Sequence, residues 1–181
     1  DDFIVLGPTA RAAIARMRLA RRLLSAFKME LSDAKSSKSP IAVEHGFDFL
    51  GIELANGLIR PTPKAQTRML EGLKREFELS SRAFFAVRAD QPIAKGLTLV
   101  ATLKRVDGMV RGWGKHYKFC NDASLFARID REIDGLLRSY LGTYSVARQR
   151  VSGEQSRALL GVEALSGTKL EPLSWPKKSV S

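Results

Sequence analysis

From Pro63 onward the apolar residues of this chain fall on helical stripes, and that repeat constrains the fold more than any other feature of the sequence. Leu99, Leu103, Val106, Val110, Trp113 and Tyr117 alternate at spacings of four and three, a period that turns every member to one side of a helix over about residues 92–119. Residues 64–86 carry Leu70, Leu73, Phe77 and Phe84 on one face, with Pro63 suited to the first helical position. Phe126, Ile129, Ile133, Leu136 and Tyr140 form a third stripe, opened by Asn121-Asp122 as cap and closed by Gly142. Three helices with one apolar face each are expected to bury those faces together, giving an all-α module over residues 63–143.

The preceding residues read differently. Residues 3–6 are apolar and β-branched, a short strand candidate closed by Gly7-Pro8. Residues 9–28 place Ala13, Met17, Ala20, Leu24 and Phe27 on one helical face and leave Arg11, Arg18 and Arg22 off it, with Thr9 as N-cap. Residues 31–40 are polar and rich in Ser and Lys, as loops are. Residues 41–43 and 47–54 are strand-like, separated by His45-Gly46, and Asn56-Gly57 before residues 58–60 is a strong hairpin signal. The expected class is therefore α+β: one helix and short strands over residues 1–62, then the helical module, then a poorly defined tail over residues 144–181 that carries no usable motif.

Charge narrows the partners. With 30 Lys+Arg against 19 Asp+Glu the formal net charge is +11 and the pI about 10.2, which points to a polyanion such as nucleic acid. No apolar stretch reaches the ~20 residues of a spanning helix, so a membrane partner is not expected. Cys120, alone with His45 and His116, cannot complete a thiolate-histidine zinc cage, and a cytoplasmic, reducing setting is the default for such a chain. Displaced from the apolar stripe of the central helix, Lys104, Arg111, Lys115 and Lys118 share another face, with Gly108 and Gly112 among them. Glycines cost about 1 kcal/mol each inside a helix, and they let another backbone approach closely. At the start of the chain, Asp1 and Asp2 run straight into the apolar residues 3–6. Paired carboxylates on a buried strand call for a cation, whereas the dipeptide alone reads better as a solvated stub before an ordinary strand.

Taken in order, Asp1-Asp2-Phe3-Ile4-Val5-Leu6-Gly7, the helix after it, Leu31-Ser32-Asp33-Ala34-Lys35-Ser36, Gly46-Phe47-Asp48-Phe49-Leu50-Gly51 and Gly112-Trp113-Gly114-Lys115-His116-Tyr117 resemble the C-terminal half of a bacterial reverse transcriptase. The group II intron and retron-like enzymes are the kind most resembled, over residues 1–142. The resemblance implies the end of a polymerase palm at residues 1–62 and a helical thumb at residues 63–143. It implies that Asp1 and Asp2 are catalytic carboxylates and ligands of Mg²⁺, that Lys35 approaches the pyrophosphate leaving group, and that Phe49, Leu50 and Gly51 belong to a primer grip. Lys104, Gly108, Arg111, Gly112, Lys115 and Lys118 would then meet the template-primer duplex.

The implied reaction is RNA-directed DNA synthesis, with an RNA template, a DNA primer and deoxynucleotides as partners. The family also needs fingers and an Asp from an earlier palm strand, so this chain is expected to be inactive alone and part of a longer enzyme. Two alternatives share the same residues: a maturase-like module that grips structured intron or other non-coding RNA without polymerising, and a polymerase of the defence type, in retron, CRISPR-linked or abortive-infection systems.

Overall fold

The computed structural model describes residues 2–32, 36–37, 39–87, 92–165, 168–171 and 173. It is an α+β structure of five α-helices and one three-stranded antiparallel sheet among those residues. Helix α1 is Ala10–Ala26, strands β1, β2 and β3 are Phe47–Phe49, Ile52–Ala55 and Leu58–Pro61, and helices α2, α3, α4 and α5 are Pro63–Ala86, Leu99–His116, Ala123–Gln149 and Gly153–Leu160.

Local chemistry explains most boundaries. Thr9 Oγ1 accepts from the Ala12 amide at 3.2 Å and caps α1, while Thr62 Oγ1 accepts from the Ala65 amide at 3.2 Å and caps α2. The sheet runs β1-β2-β3, with Phe49 opposite Ile52 and Ala55 opposite Leu58. Each connection is therefore a two-residue turn. Both residues of each turn have positive φ, Leu50 50° and Gly51 80° in the first, Asn56 46° and Gly57 81° in the second, as the right-handed twist of the paired strands requires.

Several expected boundaries move. Residues 3–6 belong to no strand, because no described segment offers them a ladder of backbone partners. Residues 41–43 form no strand either, and Val43–His45 is one turn of 3₁₀-helix. The strand expected over residues 47–54 is broken in two by the Leu50-Gly51 turn. Helix α3 begins at Leu99 rather than near residue 92, where Thr98 Oγ1 accepts from the Ala101 amide at 3.4 Å. Helix α4 continues through Gly142 to Gln149. A residue without a side chain costs a helix about 1 kcal/mol, and burial of Ala147 together with the edge-on contact of Tyr144 with Phe84 offsets it. The tail also contains α5, held by a reciprocal capping box between Ser152 and Gln155 and by the fully buried Leu159.

The chain divides into two compact units that interleave in sequence: Asp1–Met69 with Trp113–Asp130, and Leu70–Gly112 with Arg131–Ser181. The second unit is a helical core. Leu73, Phe77, Phe84, Leu99, Val106, Ile133, Tyr140, Ala147 and Leu159 are buried in it, with the Tyr140 ring 4.6 Å from Phe77 and 5.7 Å from Phe84. Its buried polar groups are paired. Ser80 Oγ donates to the Leu97 carbonyl at 2.7 Å and lies 2.7 Å from the Tyr140 hydroxyl, and the Arg105 guanidinium meets the Glu76 carboxylate at 2.9 Å. The Ser80 bond to Leu97 and a bond from the Arg105 guanidinium to the Gly96 carbonyl fasten residues 92–98 to α2 and α3, and Lys95–Leu97 there is one turn of 3₁₀-helix. The first unit holds the sheet, α1, the end of α3 and the start of α4, with Pro61, Thr62, Met69, Tyr117, Leu125 and Ile129 buried.

Candidate nucleic-acid interface

The sheet and the end of α3 meet at the Leu50-Gly51 turn. The Thr62 amide donates to the Gly51 carbonyl at 2.9 Å, so the cap of α2 also fastens the hairpin tip. A Cβ built on Gly51 would stand 3.2 Å from the Tyr117 hydroxyl. That approach and the positive φ both suit glycine there. Leu50, by contrast, carries a branched side chain at positive φ and is 60% exposed. An exposed apolar residue held in a costly backbone region is a feature that packing within the chain does not explain.

Tyr117 is buried at the centre of an aromatic group. Its ring lies 4.7 Å from Trp113, 4.6 Å from His116 and 6.5 Å from Phe119, and Trp113 lies 5.6 Å from Phe126. Burial pushes the Tyr117 phenol above its ordinary value, the Cys120 sulfur adding to the shift, and burial pushes the Cys120 thiol up as well. Both therefore stay protonated at neutral pH. Trp113 and Tyr117 serve as packing residues, and the exposed Lys115, His116 and Lys118 surround them at the surface.

Polar contacts fix the sheet to the start of α4. Arg60 holds Glu53 across the β2–β3 pair through two bonds of 2.9 and 2.8 Å, and its guanidinium lies 3.6 Å from Asp122. Asp122 caps α4, accepting from the Leu125 amide at 3.0 Å and from the Ser124 hydroxyl at 2.7 Å. The Arg60 hydrogen bond holds Glu53 below the ordinary carboxylate range, and the Ser124 and Leu125 bonds, with Arg60 assisting, do the same for Asp122. Asn121 adds three bonds: its amide donates to the Ile59 carbonyl at 2.9 Å, its side-chain oxygen accepts from the Ile59 amide at 2.8 Å, and its side-chain nitrogen donates to the Gly57 carbonyl at 2.7 Å.

The expected site residues are distributed as follows. Asp1 and Lys35 lie outside the described residues, and Asp2 is exposed. Phe49 is half-buried, with Leu50 and Gly51 at the hairpin tip. Lys115 and Lys118 are exposed in the first unit, Lys118 lying just past the end of α3. Lys104, Gly108, Arg111 and Gly112 are exposed in the second unit, where Arg111 pairs with Asp107 at 3.2 Å. Among the described residues nothing lies within 4 Å of a Cβ built on Gly108 or Gly112, so no described contact calls for glycine at either position.

Among the described residues no three of His, Cys, Asp and Glu converge as metal ligands. No helix among the described residues is long and apolar enough to cross a membrane.

Three contacts at this site escape a reading of the sequence: Tyr117 against Gly51, Arg60 between Glu53 and Asp122, and Asn121 on β3. Each joins residues distant in the chain. Only the capping pair Asn121-Asp122 carried a signal, and that signal concerned α4 alone. No family model, curated protein or solved structure matches the chain.

Proposed function

We propose that residues 1–142 form the end of the palm and the thumb of a reverse transcriptase, gripping a template-primer duplex for RNA-directed DNA synthesis. The observation that supports this reading is the seating of the Leu50-Gly51 turn on Tyr117, beside exposed Lys115 and Lys118. Two of the motifs that carry the resemblance, distant in sequence, are adjacent in one compact unit, with an exposed apolar tip and exposed cations on the same unit. A tip of this kind suits the end of a primer strand, and ammonium groups suit phosphates. Asp1 and Asp2 are the proposed catalytic carboxylates, and Lys35 the residue proposed to meet the leaving group.

Binding of an RNA–DNA heteroduplex tests the reading in the chain as it stands. The expected result is salt-dependent binding, tighter for the heteroduplex than for DNA duplex of equal length because the A-like minor groove is wide and shallow. Lys115→Gln with Lys118→Gln should lower the slope of log affinity against log salt by ~0.7–0.9 for each phosphate that is no longer neutralised. Equal affinity for the two duplexes, or an unchanged slope in the double variant, would refute the proposal.

A further inference from the structure

Residues 3–29 contain no Asp or Glu, yet they carry Arg11, Arg16, Arg18, Arg21, Arg22 and Lys28. Nowhere else on the described helices is the positive charge so free of acids: Arg82 lies 4.0 Å from Glu78, Lys95 bonds Glu163 at 2.7 Å and Arg111 pairs with Asp107. Helix α1 sorts these cations by face. Arg16 turns back to the chain and donates to the Leu6 carbonyl. At 3.6 residues per turn, Arg11, Arg18 and Arg22 fall within about 40° of one another, spaced along the axis by about 10 and 6 Å. All three are exposed, and among the described residues none has a hydrogen-bond or ion-pair partner for its guanidinium. Ala13, Met17, Ala20 and Leu24 lie on the opposite side of the helix and are half-buried.

We propose that Arg11, Arg18 and Arg22 form a second nucleic-acid contact, separate from the lysines of α3, that binds the phosphate backbone of an RNA strand. Three guanidinium groups in line, with no acid to neutralise them, give a strip of positive potential with the planar donors that fit phosphate oxygens. The spacing lets them meet phosphates along one strand without reading bases, so the contact is indifferent to sequence. A lipid surface fits less well. A helix lying on a membrane buries the apolar stripe opposite its cations, and in α1 that stripe carries two alanines and the half-buried Met17 and Leu24, which leaves Phe27, 74% exposed, as its one open large side chain. The inference rests on the nucleic-acid reading above but not on polymerisation or on the α3 lysines.

The test uses the full chain and a fluorescent RNA hairpin, with affinity measured across a salt series. Arg11→Gln, Arg18→Gln and Arg22→Gln together should lower the salt slope by about 2 and weaken binding at 0.15 M salt by tenfold or more. The matching triple Arg→Lys variant keeps the charge and should stay within about threefold of the native chain. An unchanged slope in the Gln variant overturns the proposal, as does equal weakening in the Gln and Lys variants. Vesicles of phosphatidylcholine and phosphatidylserine provide the other arm: vesicle binding abolished by the Gln variant while RNA binding persists would assign the strip to lipid. Lys115→Gln with Lys118→Gln keeps the two readings apart, since weaker binding there with no change from the α1 variant overturns this inference and leaves the thumb reading standing, and the reverse pattern does the opposite.

Discussion

Replacing Gly51 by Ala isolates the contact on which the candidate interface turns. Two costs add. Holding a residue with a Cβ at a φ of 80° costs about 1–2 kcal/mol. Placing that Cβ 3.2 Å from the Tyr117 hydroxyl adds overpacking of up to about 1 kcal/mol, because Tyr117 is buried among other rings and has little room to yield. Gly51→Ala should therefore destabilise the first unit by about 1–3 kcal/mol, a shift of roughly 2–12 °C for a chain of this size.

Tyr117→Phe deletes the opposing oxygen, so in that background only the backbone cost should remain, and the two substitutions should couple by about 0.5–1 kcal/mol. Urea unfolding followed by Trp113 fluorescence reads the relevant region, since its ring lies 4.7 Å from Tyr117, and a Trp175→Phe background removes the second indole. A cost below about 0.5 kcal/mol for Gly51→Ala would refute the left-handed turn, and equal costs in both backgrounds would refute the contact with Tyr117.

Other outcomes follow from the same contacts. Ser80→Ala should cost about 1–3 kcal/mol in thermal unfolding, because it leaves the Leu97 carbonyl and the Tyr140 hydroxyl without their shared partner; a neutral result would remove that bond from the account of residues 92–98. Gly161→Ala should loosen α5, seen as faster amide exchange in Gly153–Leu160. The position has a φ of 98° and a Cβ there would stand 2.7 Å from Thr98 Oγ1. For pH, Glu53 and Asp122 are both held below their ordinary values of 4.5 and 3.8. A depressed carboxylate stabilises the fold above its ordinary pKa and loses that contribution as pH falls through the lowered one. Stability should thus decline below about pH 4.5, and Arg60→Gln should flatten that acid limb relative to the native chain; parallel acid limbs would contradict the assigned cause.

Periodicity made the helices legible. The stripes of α2, α3 and α4 repeat over several turns, and Thr9 and Asp122 announce their helices because capping chemistry is local. The Asn56-Gly57 turn was legible for the same reason. What escaped depended on distant partners. Leu50-Gly51 reads as the middle of one strand because an exposed leucine at positive φ is costly, and only the surrounding sheet makes that turn. Gly142 reads as a stop until the burial of Ala147 is known. The candidate site divides along the same line: its surface lysines could be named from spacing, whereas the Arg60 and Asn121 contacts required the chain to be folded.

Asn121 has one more consequence, for the way the sheet can grow. Its backbone and side chain occupy the outward-facing groups of Gly57 and Ile59, and the Gln66 side chain donates to the Pro61 carbonyl at 2.8 Å, so the β3 margin is closed. The three-residue β1 stands at the other margin, with no described strand beyond it. Extension of this sheet is therefore one-directional: an added strand, from this polypeptide or another, has its docking line along Phe47–Phe49 and none along Leu58–Pro61. Removing the Asn121 side chain would release only the Ile59 amide and the Gly57 carbonyl, because the Asn121 amide still holds the Ile59 carbonyl and Gln66 the Pro61 carbonyl, so the sheet would keep its single growing end.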